Sequence, residues 1–435
     1  MSQSYRKIFS TPVAAPAPPA PPAQTLPLLS ELLGPGHARQ FLATHWPERH
    51  YAAHQPAQQL PAVLRTPALA SLDALARHYR GEVAFGRGAR EARTVSADAN
   101  AASLFRMGLS VYLPAIDTQV AGMTAWLRAL ERELGVPAGC ATLGAFASPG
   151  GDGVACHFDA DDVISIQLQG SKVFEVAKVA GLDYPYGQQF GPGMLPGDEL
   201  YPQAPDGFPS PEQASFERIV MQPGSVLYLP RGTWHRTVAE SDSFSVSIGM
   251  RPPSAMERLL QTARDLLLQD PAWRRPLYEA HAAAPARQAL GEKVAGLLDG
   301  LPALLAQISS ADLLQPPAPS LPLRPDSRLQ KVPLARLAVA PVSPGRLRLS
   351  VTAWDQDWIE RTTLDTEAPA QLAPALAWLA AREAAFAVQE FAEAMGSVAA
   401  ADGRQLLELL VRAGYLRLLW YRPLASQAAA AARVA

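Results

Sequence analysis

Short apolar runs, each bounded by Gly, Pro or Asp, follow one another through the middle of the chain. Runs that are this short and are bounded by such residues predict β-strands rather than helices. The predicted strands are Leu143–Ser148, Val163–Leu168, Lys172–Val176, Ile219–Met221, Ser225–Leu229, Arg236–Ala239 and Phe244–Met250. Such a succession of short strands is typical of a double-stranded β-helix, or jelly roll.

Apolar residues at helical spacing dominate on both sides of this strand-rich region. Before it, residues 26–90 predict a mainly helical segment, with periodic stretches at Ser30–Leu33, His37–His45 and Ser71–Tyr79. After it, Pro253–Leu268 and Ala286–Leu305 carry apolar residues three and four positions apart, which predicts two packed helices. We expect the first helical segment and the strands to form one domain over residues 26–252, followed by a separate helical region over residues 253–314.

A Pro-rich linker over residues 315–327 sets the last segment apart. Beyond it, two strands are predicted at Arg346–Trp354 and Trp358–Thr363, with helices near Gln371–Arg382, Val388–Met395 and Gly403–Ala413. Strands beside a short helical bundle predict a small α+β module over residues 328–435. At the opposite end of the chain, residues 1–25 include a Pro/Ala-rich stretch that cannot bury enough apolar surface to fold, so we expect a disordered tail.

The net charge and the composition make some classes of binding partner unexpected, but they identify none. The net charge of −2 gives no indication of nucleic-acid binding. From Lys331 onward, eleven Lys/Arg and ten Asp/Glu give a formal charge of only +1. We therefore expect no DNA binding. The two cysteines, Cys140 and Cys156, form no disulfide framework, which favours a reducing cytoplasmic setting. No secretory signal and no apolar run of about 18 residues is apparent, so no membrane span is expected.

The chemistry is concentrated in His157-Phe-Asp159 and in the later Pro-Arg-Gly-Thr-Trp-His235. Residues i and i+2 of a strand point to one face, so the His157 imidazole and the Asp159 carboxylate project side by side. With His235 from a later strand they form two imidazoles and one carboxylate, the facial triad of non-haem Fe(II) oxygenases. An isolated H-x-D is more often a surface His beside a solvated Asp, but the strand-rich surroundings and the downstream histidine favour a metal site.

Lys172 is a candidate for binding the co-substrate of such an enzyme. The 5-carboxylate of 2-oxoglutarate needs a buried cation, and a lysine on a strand near the H-x-D motif supplies one through a charge-assisted hydrogen bond. Spacing alone leaves open an exposed lysine after the Gln-Gly-Ser turn. Ser245 and Ser247 alternate along the strand after His235 and are candidates to face the same pocket, although ordinary strand serines explain them equally well.

These motifs resemble the JmjC-type oxygenases of the cupin-4 group, whose best-known members are the ribosomal oxygenases that hydroxylate ribosomal proteins. The resemblance is carried by F-A-S-P-G-G-D-G-V-A-C-H-F-D-A-D-D-V, I-Q-L-Q-G-S-K, P-G-S-V-L-Y-L-P-R-G-T-W-H and S-V-S-I-G-M-R-P-P, with Phe41-Leu-Ala-Thr-His-Trp46 upstream. It implies a JmjC cupin core, a helical dimerisation region and a C-terminal winged-helix-like module.

Residue by residue, the resemblance implies that His157, Asp159 and His235 are the iron ligands. Lys172 lies where the family places the basic residue for the 2-oxoglutarate 5-carboxylate, and Ser245 is a second candidate for co-substrate binding. Bacterial ribosomal arginine hydroxylases carry Arg at the position of Lys172. Lysine is a departure that keeps the charge and loses the bidentate fork.

The function implied is Fe(II)- and 2-oxoglutarate-dependent hydroxylation by O₂ of a side chain in a protein or peptide, with a ribosomal protein as a candidate. Three alternatives stay open at this point. In the first, the same chemistry acts on a biosynthetic peptide or small molecule. In the second, the cupin uses its metal without 2-oxoglutarate. In the third, the fold serves a non-catalytic binding or regulatory role. A basic residue at Lys172 weighs against the second, and an intact triad weighs against the third.

Overall fold

The computed structural model describes residues 26–88, 94–314, 323, 325–343, 345–354, 359–395 and 400–419. They divide into two compact units, the first ending at Pro253 and the second beginning at Ser254. The predicted disordered tail, most of the predicted linker and Trp358 lie outside the described residues.

The first unit is built from short strands with helices before and between them. Its helices are α1 (Pro27–Leu33), α2 (His37–Thr44), α3 (Leu72–Ala76), α4 (Ala101–Arg106) and α5 (Met123–Leu134). Its strands are β1 (Tyr51–His54), β2 (Val83–Gly86), β3 (Thr94–Ala97), β4 (Ser110–Leu113), β5 (Ala141–Ser148), β6 (Gly153–His157), β7 (Asp162–Gln169), β8 (Lys172–Lys178), β9 (Glu217–Met221), β10 (Ser225–Leu229), β11 (Thr233–Ala239) and β12 (Ser243–Met250).

These strands form two antiparallel sheets. The larger sheet has the order β1-β10-β7-β12-β5-β4-β2-β3, and the smaller has the order β6-β11-β8-β9. An eight-stranded sheet beside a four-stranded one, with helices at the flank, is the cupin fold that the strand pattern predicts, and this prediction is confirmed. The side chains of Ile164, Ile166, Val226, Val246 and Ile248 are almost fully buried in the main core.

Helix α5 shows how the flanking segment is fixed to the core. Trp126, Leu127 and Leu130 are buried at the three- and four-residue spacing of one helix face. Glu131 is also buried, and its carboxylate accepts hydrogen bonds from the backbone N–H groups of Gly139 and Ala141 at 3.0 and 2.7 Å. The carboxylate therefore ties the helix to the start of β5.

The prediction of a mainly helical segment over residues 26–90 is incomplete. The helices α1, α2 and α3 are present, but β1 and β2 also lie in this segment and join the larger sheet. Both strands are four residues long and lie between stretches of helical periodicity, so the surrounding sequence favoured helix. Pairing with β10 and β4 therefore decides their conformation.

The second unit contains helices and two three-stranded sheets. Its elements are α6 (Ala255–Leu267), α7 (Pro271–Arg274), α8 (Ala284–Leu305), α9 (Ser310–Leu314), β13 (Arg328–Lys331), β14 (Arg336–Ser343), β15 (Arg346–Trp354), β16 (Glu360–Pro369), α10 (Ala373–Ala381), β17 (Phe386–Ala387), α11 (Val388–Met395), α12 (Ala400–Arg412) and β18 (Leu416–Leu418). The sheet orders are β17-β13-β18 and β14-β15-β16.

The C-terminal part of this unit has more strands than the sequence predicted. The strand at Arg346–Trp354 and the helix at Val388–Met395 are found as expected, whereas β13, β14, β17 and β18 were not predicted. Leu349, Phe391 and Leu407 share one buried core, so strands and helices pack together. Within the described residues, no helix has the length and apolar character needed to cross a membrane.

Candidate active site

The strands of the smaller sheet bring His157, Asp159 and His235 together. His157 is the last residue of β6 and pairs directly with His235 on β11. Asp159 lies just beyond β6, and its backbone carbonyl accepts a hydrogen bond at 2.9 Å from the N–H of Gly232, in the turn before β11. The two halves of the site are thus joined by backbone pairing at both histidines and at the aspartate.

The three side chains converge at one point. The Nε2 atoms of His157 and His235 each lie 3.6 Å from an oxygen of Asp159. One potential ligand atom from each residue lies within 4.8 Å of the other two, the only such group of His, Cys, Asp or Glu in the described part of the chain. Donor atoms this close together, on separate side chains, fit one metal ion.

The hydrogen bonds of the two imidazoles orient them for ligation. The Nδ1 of His157 is 2.8 Å from the carbonyl oxygen of Ala155, and the Nδ1 of His235 is 3.0 Å from that of Thr233. A carbonyl oxygen only accepts hydrogen bonds, so each Nδ1 carries the proton. The unprotonated Nε2 is then available to bind a metal. Burial, and then the neighbouring His157, lowers the pKa of His235 to about 4, so its imidazole is neutral and able to bind a metal near pH 7.

A buried ion pair supports the turn that carries His235. Arg231 donates from Nη2 at 3.0 Å and from its backbone N–H at 3.1 Å to the carboxylate of Asp162. The Tyr228 hydroxyl donates to the carbonyl of Pro47 at 2.8 Å and lies 3.4 Å from the same carboxylate. Asp162 follows Asp159 by three residues, so this contact holds the chain after Asp159 against the chain before His235.

The triad opens into a cavity of about 500 Å³ that is lined by residues of both sheets. Its lining includes Lys172 on β8, and Ser245 and Ser247 on β12. Lys172 is 3% exposed and Ser245 is 2% exposed. Among the described lining residues, Lys172 is the single Lys or Arg, so it supplies the positive charge available to an anionic ligand there.

Lys172 lies on β8, the strand that pairs with β11, which carries His235. On β8, Val176 pairs with His235 and Lys172 pairs with Ala239, so Lys172 is four residues along the strand from the histidine, or roughly 13 Å. Burial lowers the pKa of Lys172 to about 8, and the nearby Asp152 carboxylate partly offsets that effect. The ammonium is therefore still mostly protonated at neutral pH.

Three other residues near the site pack against neighbouring side chains or form an ion pair with one. Trp234 is buried and contacts Phe158 edge-on, with ring centroids 5.0 Å apart. Cys156 packs at the edge of the same apolar cluster, away from the triad. Asp161 lines the cavity and forms an ion pair with Arg251.

Sequence reasoning missed two polar residues beside Lys172. Asp152 is buried in the turn between β5 and β6, and Ser110 on β4 donates a 2.7 Å hydrogen bond to its carboxylate. Asp152 lies within the motif that contains His157, but nothing in that motif assigns it a role, and Ser110 lies outside the motifs described above. An aspartate between glycines in a turn normally predicts solvent exposure, so the sequence contained no signal of their proximity to Lys172.

Residues 138–258 match the family model of the JmjC domain. The uncharacterized protein YxbC of Bacillus subtilis is 25% identical over 262 residues, which cover 58% of this chain and 79% of that protein. Jumonji C domain-containing protein 5 of Drosophila melanogaster is 28% identical over 137 residues, covering 28% of this chain and 33% of that protein. Lysine-specific demethylase 8 of Xenopus tropicalis is 31% identical over 110 residues, covering 24% of each.

Similar solved structures include Escherichia coli ycfD, with 21% sequence identity, a TM-score of 0.41 and coverage of 87% of this chain and 97% of that one. A second structure is that of YcfD, a ribosomal oxygenase from Escherichia coli, in complex with cobalt and 2-oxoglutarate. It has 21% identity, a TM-score of 0.38 and coverage of 88% and 98%.

The chain therefore contains a JmjC domain whose residues include both parts of the triad, His157 with Asp159 and His235. This domain with this ligand set is the catalytic domain of a 2-oxoglutarate-dependent oxygenase that uses Fe(II) and O₂.

Proposed function

We propose that this oxygenase hydroxylates a side chain of a protein or peptide, with His157, Asp159 and His235 as the iron ligands and Lys172 as the anchor of 2-oxoglutarate. The observation that carries the proposal is one cavity that contains the triad and, farther along the same ladder, a buried lysine. A ligand with a chelating end and a distal carboxylate has complementary groups at both places.

The residues of the chain bind and orient the reactants. Fe(II), when bound, supplies the centre at which O₂ oxidises 2-oxoglutarate to succinate and CO₂ and at which a substrate C–H bond is hydroxylated. Two imidazoles and one carboxylate would hold this ion and leave room for the co-substrate. Lys172 would hold the 5-carboxylate through a charge-assisted hydrogen bond, and the Ser245 hydroxyl, buried on the same cavity wall, is proposed as a second contact.

A long surface segment beside the site supports a macromolecular substrate. Residues 179–216 contain five acidic residues and no Lys or Arg. Tyr184, Leu195 and Tyr201 are exposed there, although large apolar side chains are usually buried. Phe190 exchanges backbone hydrogen bonds of 2.9 and 3.0 Å with Phe158, and Gln189 lines the cavity, so the segment borders the triad.

An acidic surface with exposed aromatic side chains suits a basic protein segment better than a small metabolite. Ribosomal proteins are the first candidates, because the motifs of this chain resemble those of ribosomal oxygenases. The same chemistry on a biosynthetic peptide or small molecule remains the second candidate, since the cavity volume itself accommodates either.

The test is a search for the product. Purified enzyme with Fe(II), 2-oxoglutarate and O₂ is incubated with ribosomal proteins from the source cell, and intact and peptide masses are compared with a reaction that lacks 2-oxoglutarate. We expect a +16 Da shift on one residue of one protein. Succinate formation stimulated by a cell metabolite fraction, with no modified protein, would favour the small-molecule alternative.

We also propose that the chain acts in the cytoplasm as a homodimer and does not bind DNA. Helix α6 has no fully buried residue and exposes Met256, Leu259 and Leu260 at the spacing of one helix face. A second copy of the chain would cover this face. The near-neutral charge of residues 331–435 supports the exclusion of DNA.

A further inference from the structure

The buried carboxylate of Asp152 has no part in the function described so far. It is 4% exposed, in the turn between β5 and β6, and Ser110 donates to its Oδ2 at 2.7 Å. A buried carboxylate is costly unless other groups compensate its charge. The groups around Asp152 therefore indicate which positive charge its carboxylate balances.

Backbone pairing puts Asp152 and Lys172 on either side of the same residue. The N–H of Ala239 donates to the Asp152 carbonyl at 2.8 Å, and the N–H of Gly151 donates to the Ala239 carbonyl at 2.8 Å. On the other side of β11, Ala239 pairs with Lys172. Since neighbouring strands lie about 4.8 Å apart, the backbones of Asp152 and Lys172 are separated by about two strand spacings, or roughly 10 Å.

The two charges act on each other. Burial disfavours the Lys172 ammonium, and the Asp152 carboxylate is the neighbour that favours it. Other titratable residues also line the cavity that Lys172 faces: Tyr112 from β4, His157 at the end of β6, Asp159 and Asp161 from the following turn, and His235 from β11. On β9 the residue opposite Lys172 is the uncharged Met221.

We propose that Asp152 is a positioning residue that keeps the Lys172 side chain charged and directed for the 5-carboxylate of 2-oxoglutarate, while Ser110 fixes the Asp152 carboxylate. The inference rests on the proposed role of Lys172 as the co-substrate anchor. It adds the statement that the anchor is a buried pair of charges supported by a serine, not a single cation.

Asp152 has two opposite effects on an incoming carboxylate. Its negative charge repels the ligand, whereas its electrostatic effect on Lys172 maintains the cation that attracts the ligand. The second effect is the larger, because the Ser110 hydrogen bond disperses part of the carboxylate charge. An ammonium also has three donors, so one can face Asp152 while others face the ligand. A neutral lysine would lose the charge-assisted bond altogether.

The experiment measures 2-oxoglutarate binding without turnover. Full-length protein loaded with Co(II) is titrated with 2-oxoglutarate by calorimetry for wild type, Asp152→Asn, Lys172→Met and the double variant. We expect Asp152→Asn to weaken binding about tenfold at pH 8 and by a smaller factor at pH 6.5. In the Lys172→Met background it should have no further effect, because a residue that acts through Lys172 needs Lys172 present.

Asp117→Asn is the matched control. Asp117 is also buried and accepts a 3.1 Å hydrogen bond from the Leu143 N–H, but it does not line the cavity. This variant should bind 2-oxoglutarate as wild type does. Any pH effect from the metal ligands is common to wild type and Asp152→Asn, so the difference between their two profiles isolates Lys172.

The inference is overturned if Asp152→Asn binds within twofold of wild type at pH 8, binds more tightly, or weakens binding equally in the Lys172→Met background. If Asp152→Asn fails to fold, Ser110→Ala replaces it, with a smaller weakening expected that also requires Lys172, and unchanged binding would overturn the inference. Equal binding by wild type and Lys172→Met would instead remove the proposed anchor itself, so the two failures are distinguishable.

Discussion

Lys172 is the residue whose replacement tests the co-substrate site most simply. Lys172→Met removes a buried cation of similar length without touching the triad. We expect 2-oxoglutarate binding to weaken by about 1.5–3 kcal/mol, roughly ten- to a hundred-fold, with metal affinity unchanged. Calorimetry of the Co(II)-loaded protein measures both. Lys172→Arg should retain part of the affinity, and an unchanged Kd in Lys172→Met would mean that another residue holds the 5-carboxylate.

The pKa of Lys172 predicts a pH dependence of co-substrate binding. Because the pKa of the folded protein is lowered to about 8, the ammonium is present below that pH and is lost as pH rises through it. The Kd for 2-oxoglutarate should therefore increase between about pH 7 and 9, by up to tenfold per pH unit above 8. Lys172→Arg is the control, since a guanidinium stays charged throughout this range. A wild-type Kd that stays flat to pH 9 would contradict the prediction.

At this scale the sequence identifies the residues that belong to a motif and misses those that only the fold brings near. His157, Asp159 and His235 could be chosen because residue type, spacing and strand context agree. Asp152 could not, because its importance comes from burial beside a strand that follows it by some eighty residues. Asp152 lies in the same motif as His157, but its pairing through Ala239 is a property of the sheet that the motif does not show.

Among the elements, the turn between β10 and β11 depends on the Asp162–Arg231 pair. Asp162→Asn should destabilise the protein by about 3–5 kcal/mol, because removing one partner leaves a largely buried guanidinium uncompensated. Urea denaturation measures the change. Asp73→Asn is the matched control, since its ion pair with Arg106 is solvent-exposed and the urea midpoint should stay the same. A midpoint for Asp162→Asn equal to that of the control would show that the pair does not support the turn.

Element prediction succeeded where apolar runs were long and failed where pairing decides. Ser225–Leu229 was predicted with correct bounds because all five residues are apolar or small and all are buried between β1 and β7. Strands β1 and β2 were missed because they are short and lie between stretches of helical periodicity. Strand β6 was predicted only around His157, because a glycine, which is uncommon inside strands, begins it.

For the whole molecule, the exposed face of α6 predicts a dimer. The wild-type protein should have twice the chain mass of 46.5 kDa by light scattering after size exclusion. Leu260→Glu should give a monomer, because it would bury an unpaired charge in the contact. Leu195→Glu, at a leucine that is 94% exposed in the first unit, is the control and should leave the mass unchanged. A monomeric wild type, or a dimeric Leu260→Glu, would exclude α6 as the contact.

The central claim is that the His157–Asp159–His235 centre performs 2-oxoglutarate-dependent oxidation, and succinate formation tests it most directly. Wild-type protein with Fe(II), O₂ and 2-oxoglutarate should form succinate above a metal-free control. His235→Ala, shown to be folded by circular dichroism, should form none and bind Co(II) weakly, because one of three protein ligands is gone. Absence of succinate with the wild-type protein, or full turnover by His235→Ala, would contradict the account.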